Sequence, residues 1–256
     1  MNFLPVVVAL SLFALIALSM RLGWSAGRKR LAAIGDGANE GLGAVDGAIF
    51  GMMGLLLAFT FTGAASRFEQ RRELIVQETN AIGTAWLRLD LLGAEPREQA
   101  RSLFRQYLDQ RLDVYGDVTD PARTAQSLAT VAALQGQIWN LAIAQAREDK
   151  SQPLVQSLLP ALNDMFDIAT ARVLATRQHP HPAIFGLLLM LVLVSAFLVG
   201  FSQAKVTPQS RLHLVGFSVT TALALYLIID LEYPRVGMIR VDQFDQALVE
   251  LRGSMN

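Results

Sequence analysis

The sequence contains no cysteine and only three histidines, His179, His181 and His213. The first absence excludes disulfides, thiolate nucleophiles and thiolate-bound metals, and the scatter of the histidines argues against an imidazole-rich metal site. Charge is sparse: 17% of residues are charged, where a soluble domain carries about 25%. The 22 basic and 22 acidic side chains cancel, so nothing points to nucleic acid as a partner. No βαβ pattern, glycine-rich phosphate loop or nucleophile elbow is found, which removes the usual signs of nucleotide binding and hydrolase chemistry. Internal repeats and low-complexity segments are also missing. Asn163, Asp164 and Asp167 form a small polar cluster, but on a helix they read as a solvated face. The expectation is a protein that is not an enzyme, with no metal and no cofactor.

What the chain has instead is apolar length. Hydrophobic residues make up 52% of its 256 positions. Four runs, residues 3–20, 47–65, 183–201 and 212–229, approach the ~20 residues that a helix needs to cross ~30 Å of hydrocarbon. The first begins without Lys or Arg and ends in Arg21, Trp24, Arg28, Lys29 and Arg30. That is the reverse of a signal peptide, and it reads as a retained membrane helix with an interfacial tryptophan. The fourth is the most polar, with His213, Ser218, Thr220 and Thr221. The lipid bilayer is thus the first expected partner.

The second run is the centre of the reading. Its small residues Gly47, Gly51, Gly54, Ala58, Thr62 and Ala65 are spaced by three or four, which makes one narrow stripe on a helix. Such a stripe lets another helix backbone approach closely in lipid. Beside it runs Phe50, Met53, Leu57 and Phe61; Ile49, Met52, Leu55, Leu56 and Phe59 suit lipid. Two readings stay open: packing within the chain, or one stripe lining a pore as an apolar constriction that gates by dewetting.

Without a break this run continues into a charged amphipathic helix, so one helix is expected to leave the membrane and begin a helical domain. Gly93–Pro96 reads as a stop and restart, Asp120-Pro121 as a cap and first-turn proline, and Ser151 as a cap before Pro160. Glu78 and Arg172 each lie on an otherwise apolar face. An unpaired buried charge is costly, so an ion pair between them is expected. His179-Pro180-His181-Pro182 ends the domain at a membrane border. After the fourth run, Asp230 and Glu232 stand at its mouth, where acids either help hold a cation or simply stop a span and pair with a neighbour such as Arg235. Pro234 and Gly237 require a turn, and Asp242 reads as the cap of a short final helix carrying Phe244, Leu248 and Leu251.

The expected architecture is therefore all-α: four transmembrane helices, with a helical bundle inserted between the second and third. The segments are residues 1–65 (first membrane pair), 66–182 (helical domain), 183–230 (second hairpin) and 231–256 (turn and short amphipathic helix). Basic residues in the short connections 21–46 and 202–211 favour a cytoplasmic position for those connections, whereas Arg67, Arg71 and Arg72 argue the reverse.

The stretches GLLLAFTFTGAASRFEQRR (54–72), ETNAIGTAWLRLDLL (78–92), LNDMFDIATAR (162–172) and DLEYPRVGMIRV (230–241), with the hairpin between the last two, resemble the bestrophin-like family of uncharacterised bacterial membrane proteins and, more distantly, the bestrophin anion channels. That resemblance implies a multi-pass protein of the bacterial cytoplasmic (inner) membrane. It also implies a homo-oligomer, a pentamer in true bestrophins, conducting a small inorganic ion, with the helical domain on the cytosolic side. In that family the second helix lines the pore, and by position Phe50, Met53, Leu57 and Phe61 would be the corresponding row. Bestrophins hold calcium on an acidic cluster after the fourth helix, and here only Asp230 and Glu232 stand there. The competing expectation is a non-catalytic membrane scaffold or sensor whose helical domain binds a partner or ligand.

Overall fold

A computed structural model describes residues 4–34, 43–116, 120–148, 151–205 and 211–255. Among the described residues eight α-helices follow one another: α1 Leu4–Ile34, α2 Gly43–Arg88, α3 Ala94–Gly116, α4 Pro121–Glu148, α5 Leu159–Arg177, α6 Pro182–Ser202, α7 Arg211–Glu232 and α8 Asp242–Ser254. Among the described residues there is no strand. Acids Asp36 and Glu40 of the first connection, and residues 206–210 of the second, lie outside the described residues.

Among the described residues four helical stretches are, by length and composition, long and apolar enough to cross a membrane: α1, α2, the stretch Leu154–Lys205 that contains α6, and α7. Helix α1 does not stop at its basic residues as the apolar run suggested. It continues through Arg21–Arg30 to Ile34, because Arg, Lys, Ala and Leu are good helix formers and no proline intervenes. Its 31 residues extend about 46 Å. Helix α2 is a single helix of 46 residues, about 69 Å, and its charged second half continues the apolar first half without a break.

The chain forms two compact units, Met1–Phe68 with His179–Ile239, and Glu69–Gln178 with Arg240–Asn256. The last 26 residues are therefore divided between the units. In the first unit, Ile16 and Met20 of α1, Ala64 of α2, Leu188, Val192 and Ala196 of α6, and Ala222 and Leu225 of α7 form the core. Helices α1 and α6 make its closest approach. A methyl group added at Gly23 would overlap the Phe197 carbonyl oxygen, one at Gly27 that of Phe201, and one at Gly200 that of Met20. Ser19 Oγ donates to the Leu193 carbonyl at 2.7 Å. The near-constant offset between the paired numbers means that α1 and α6 run parallel.

The second unit is a helical bundle around Ile82 of α2 and Leu89 in the 3-10 turn after it, Phe104, Tyr107 and Leu108 of α3, Val131, Leu134 and Ile138 of α4, and Leu162 and Met165 of α5. Asp120 Oδ1 accepts from the amides of Ala122 and Arg123 at 3.0 and 3.1 Å, which starts α4. Pro160 falls in the first turn of α5, after a π-helical turn at Leu154–Leu158, so the proline sets a start instead of a kink. At α8 the expected cap is corrected: Val241 is the capping residue, makes no side-chain cap bond, and Asp242 pairs with Arg240 instead. Leu248 and Met255 still bury α8 against the bundle.

Candidate functional site

Exposure around the apolar half of α2 divides it into two arcs. Met53, Leu56 and Leu57 pack on the core of the first unit, and Thr60 and Ala64 are buried there. At about 100° per residue, Gly51, Leu55, Ala58 and Thr62 lie on the opposite side. All four are exposed, as are Gly47 and Gly54, while Ala65 is half-buried. A methyl group at Gly47, Gly51 or Gly54 would meet nothing within 4 Å among the described residues. From Gly47 to Thr62 the small stripe is therefore exposed among the described residues, while Ala65 at its end packs on the first unit's core. The glycines that do serve helix contact are Gly23, Gly27 and Gly200.

The row read from spacing is divided as well. Phe61 is 43% exposed and Phe50 half-exposed, whereas Met53 and Leu57 face the unit's own core. Leu55 at 57% and Phe59 at 67% stand out from the surface, with Met52 beside them. The two threonines of the run are satisfied by their own helix: Thr60 Oγ1 donates to Leu56 O at 2.7 Å and Thr62 Oγ1 to Ala58 O at 2.9 Å. The outward arc thus presents no unsatisfied hydroxyl, and it carries no charge from Gly47 to Ala65.

The charged half-turns that follow are anchored. Within the first unit, Arg67 of α2 reaches Glu232 at the end of α7, its Nε and Nη2 donating to Oε2 at 2.9 and 2.7 Å. His179 Nδ1 lies 2.9 Å from the other oxygen of the same carboxylate, and its ring stacks on Tyr233 at 4.8 Å. Glu232 is fully buried. Asp230 is a staple for the turn after α7. Its Oδ1 accepts from Tyr226 Oη and the Met238 amide, both at 2.8 Å, and its Oδ2 from the Ile239 amide at 2.7 Å. Gly237 has to be glycine, because a Cβ would overlap the Asp230 carboxylate. Both acids expected at the mouth of the fourth span thus have protein partners. Among the described residues, no group of three His, Asp or Glu side chains could hold a metal ion. The cleft of about 230 Å³ beside Asp230 is lined chiefly by apolar groups of Leu4, Pro5, Val8, Ile229 and Val236.

In the second unit Glu78 and Arg172 do meet, but as part of a larger network. Arg172 Nη1 donates to Glu78 Oε2 at 2.5 Å, and Arg111 Nε donates to Glu78 Oε1 at 2.5 Å. Arg172 also pairs with Asp245 of α8, while Arg111 Nη2 donates to Tyr115 Oη at 3.1 Å. The Arg172 guanidinium lies 3.8 Å from the centre of the Tyr115 ring. Two cations thus balance two carboxylates with the central three side chains at most 3% exposed. Burial pushes the Tyr115 hydroxyl above its usual range. For Arg111 burial acts downward and is the largest single influence, but the Glu78 carboxylate and its hydrogen bond, with Tyr115 and Tyr107, together outweigh it and hold the guanidinium above its ordinary value. Arg111 and Asp245 were not singled out in the sequence. Arg111 had a signal, since it sits at helical spacing between Leu108 and Tyr115 on an apolar face. Asn163, Asp164 and Asp167 are exposed on α5.

The charges of this network are paired with one another inside the bundle, and the outward arc of α2 is an apolar surface with no partner among the described residues. The Bestrophin-like domain model matches residues 8–243. No curated protein matches the chain. Among solved structures, a membrane protein carrying one proline-to-alanine change superposes with a TM-score of 0.69 at 17% identity, over 96% of this chain and 99% of that one. A variant of a bacterial bestrophin homologue from Klebsiella pneumoniae superposes with a TM-score of 0.67 at 18% identity, again over 96% and 99%. A second variant of that homologue gives 0.66 at 17%, over 93% and 99%. At these identities the likeness establishes the fold. With the family model spanning most of its length, the chain belongs to the Bestrophin-like family.

Proposed function

We propose that this protein is a multi-pass protein of the bacterial cytoplasmic membrane. Copies of it assemble into a ring, five in the bestrophin arrangement, and conduct small inorganic anions along an axis faced by α2. The observation that carries this reading is the uncovered arc of α2. A helix long enough to cross the bilayer leaves its small stripe and its Leu55–Phe59 edge without a partner in the described chain. In a ring with α2 innermost, the side opposite the chain's own core faces the axis. The stripe Gly47, Gly51, Gly54, Ala58 and Thr62 then lets neighbouring copies approach closely around the axis, and Leu55 on that side, flanked by Phe59 on one edge and by Phe50 and Phe61 on the other, supplies the apolar narrowing. Met53 and Leu57 hold α2 onto its own core and shape the wall from behind. The helical bundle of residues 69–178 stays in water between the second and third crossings. Glu78 and Arg172 act through its folding, Asp230 and Glu232 fix the end of α7, and neither pair takes part in chemistry.

Anion flux from liposomes containing the purified protein tests the proposal. Phe59→Ala and Phe61→Ala widen an apolar narrowing and raise flux. Leu57→Ala removes core packing and lowers stability, by about 2–5 kcal/mol for a buried leucine and less at a half-buried site. Electrically silent vesicles with correctly folded, oligomeric protein would contradict the reading.

A further inference from the structure

The parallel contact of α1 and α6 fixes the level of a set of cations. Gly23 is level with Phe197 and Gly27 with Phe201, the last residue of the third apolar run. Arg28, Lys29 and Arg30 therefore stand level with the end of α6, beside Lys205 in the short 3-10 turn that follows it. One ring contact between the two helices agrees with this placement: the Arg30 guanidinium lies 5.8 Å from the Phe201 ring. All four cations are exposed. Arg21 sits six residues, about 9 Å, below the level of Phe201, so only its long side chain can bring its charge to the boundary. Among the described residues at this level the acid is Asp46, which accepts from Ser202 Oγ at 3.3 Å. Asp36 and Glu40 lie outside the described residues.

A second feature leads to the same place. Leu15, Leu18, Leu22 and Lys29 share one face of α1. The three leucines are 45%, 55% and 56% exposed. An exposed apolar track that ends in a cluster of cations has the shape and polarity of a phospholipid: acyl chain along the leucines, phosphate among the cations.

We propose that this collar, Arg28, Lys29, Arg30 and Lys205 with Arg21 reaching up to it, is a binding site for anionic phospholipid in the leaflet at this end of α1. The proposal rests on the membrane reading of the four apolar helices and is independent of conduction. The test is the association of spin-labelled phosphatidylglycerol and phosphatidylcholine with the full-length protein in nanodiscs. Wild-type protein is expected to prefer phosphatidylglycerol by about tenfold or more, since each basic side chain at the surface is worth roughly fivefold. The Arg28→Gln/Lys29→Gln/Arg30→Gln variant loses the preference, and 0.5 M salt weakens it in the wild type. The charge-keeping Arg28→Lys/Lys29→Arg/Arg30→Lys variant retains it, which separates lost charge from lost folding. An Arg97→Gln/Arg105→Gln/Arg147→Gln variant in the helical bundle also retains it. Equal association of the two lipids with the wild type overturns the proposal, as does an unchanged preference in the first variant. Failure to insert in nanodiscs would instead contradict the membrane reading.

Discussion

Glu78→Gln removes the single carboxylate that both buried arginines share. Arg111 and Arg172 are 1% and 3% exposed, and each donates to one oxygen of Glu78 at 2.5 Å. Glutamine offers one carbonyl oxygen and an NH2 group, so one guanidinium would face a donor. Asp245 would still compensate Arg172, but Arg111 would keep only Tyr115 Oη and the Ala169 carbonyl. Breaking a buried pair from one side costs about 3–5 kcal/mol, because a charge is left behind without its counter-charge. Against a total stability of about 5–15 kcal/mol, that is a large fraction. The chain has three tryptophans, and Trp86 and Trp139 pack on the bundle core. A Trp24→Phe background therefore leaves fluorescence that reports the bundle alone. Denaturant unfolding of the full-length protein in detergent should give a loss near 3–5 kcal/mol for Glu78→Gln. A double Glu78→Gln/Arg172→Met variant should lose less than the sum of the singles by about 0.5–3 kcal/mol, because the two side chains are coupled. A loss below about 1 kcal/mol for Glu78→Gln, or strictly additive singles, would refute the idea that this network is a buried, mutually dependent unit.

Gly200→Ala is expected to cost about 1–3 kcal/mol or prevent insertion, because the new methyl would overlap the Met20 carbonyl. Gly51→Ala, which meets open space within the described chain, should leave the protomer's thermal stability unchanged and alter the size of the assembly instead. Asp113 is held below the usual carboxylate range by its bonds to Arg123 and Ser127. A depressed folded value stabilises above the unfolded value of about 3.9 and is lost as pH falls through the folded one. Asp113→Asn should therefore lower the unfolding temperature at pH 7, with the difference from wild type shrinking as pH falls below 4. The absence of cysteine makes sidedness simple to read. Single cysteines at Lys29 and Lys205 should label together with an impermeant maleimide, and one at Arg147 should label only from the opposite side.

Much of this fold was open to a reading of periodicity. The continuous passage from an apolar to a charged helix in α2, the restart at Gly93–Pro96 and the start of α4 at Asp120-Pro121 follow from local rules that act within one or two turns. Glu78 and Arg172 could be paired because each interrupts an apolar face and burial demands a counter-charge. Arg111 gives the same signal on α3, at helical spacing between Leu108 and Tyr115. The small residues were harder. Spacing identifies a stripe but not what it touches, and the glycines that actually admit a neighbouring backbone include Gly23 and Gly27. That pair has the small-xxx-small spacing, but it lies among charges beyond the apolar run, where a packing motif is not sought. The bonds from Glu232 to Arg67 and His179 join residues 165 and 53 positions apart, and no pattern in the sequence foretells them. Asp242 looked like a cap by residue type, but pairing with Arg240 takes its carboxylate elsewhere.

In the proposed ring the uncovered arc of α2 faces other copies of the same chain around an axis. The mass of the protein in nanodiscs, measured by light scattering and corrected for lipid, tests it most directly. A single discrete species of five copies, redistributed by Gly51→Ala but not by a surface change such as Arg147→Gln, is the predicted result. A monomer or a simple dimer would leave no axis for α2 to face, and would contradict the account.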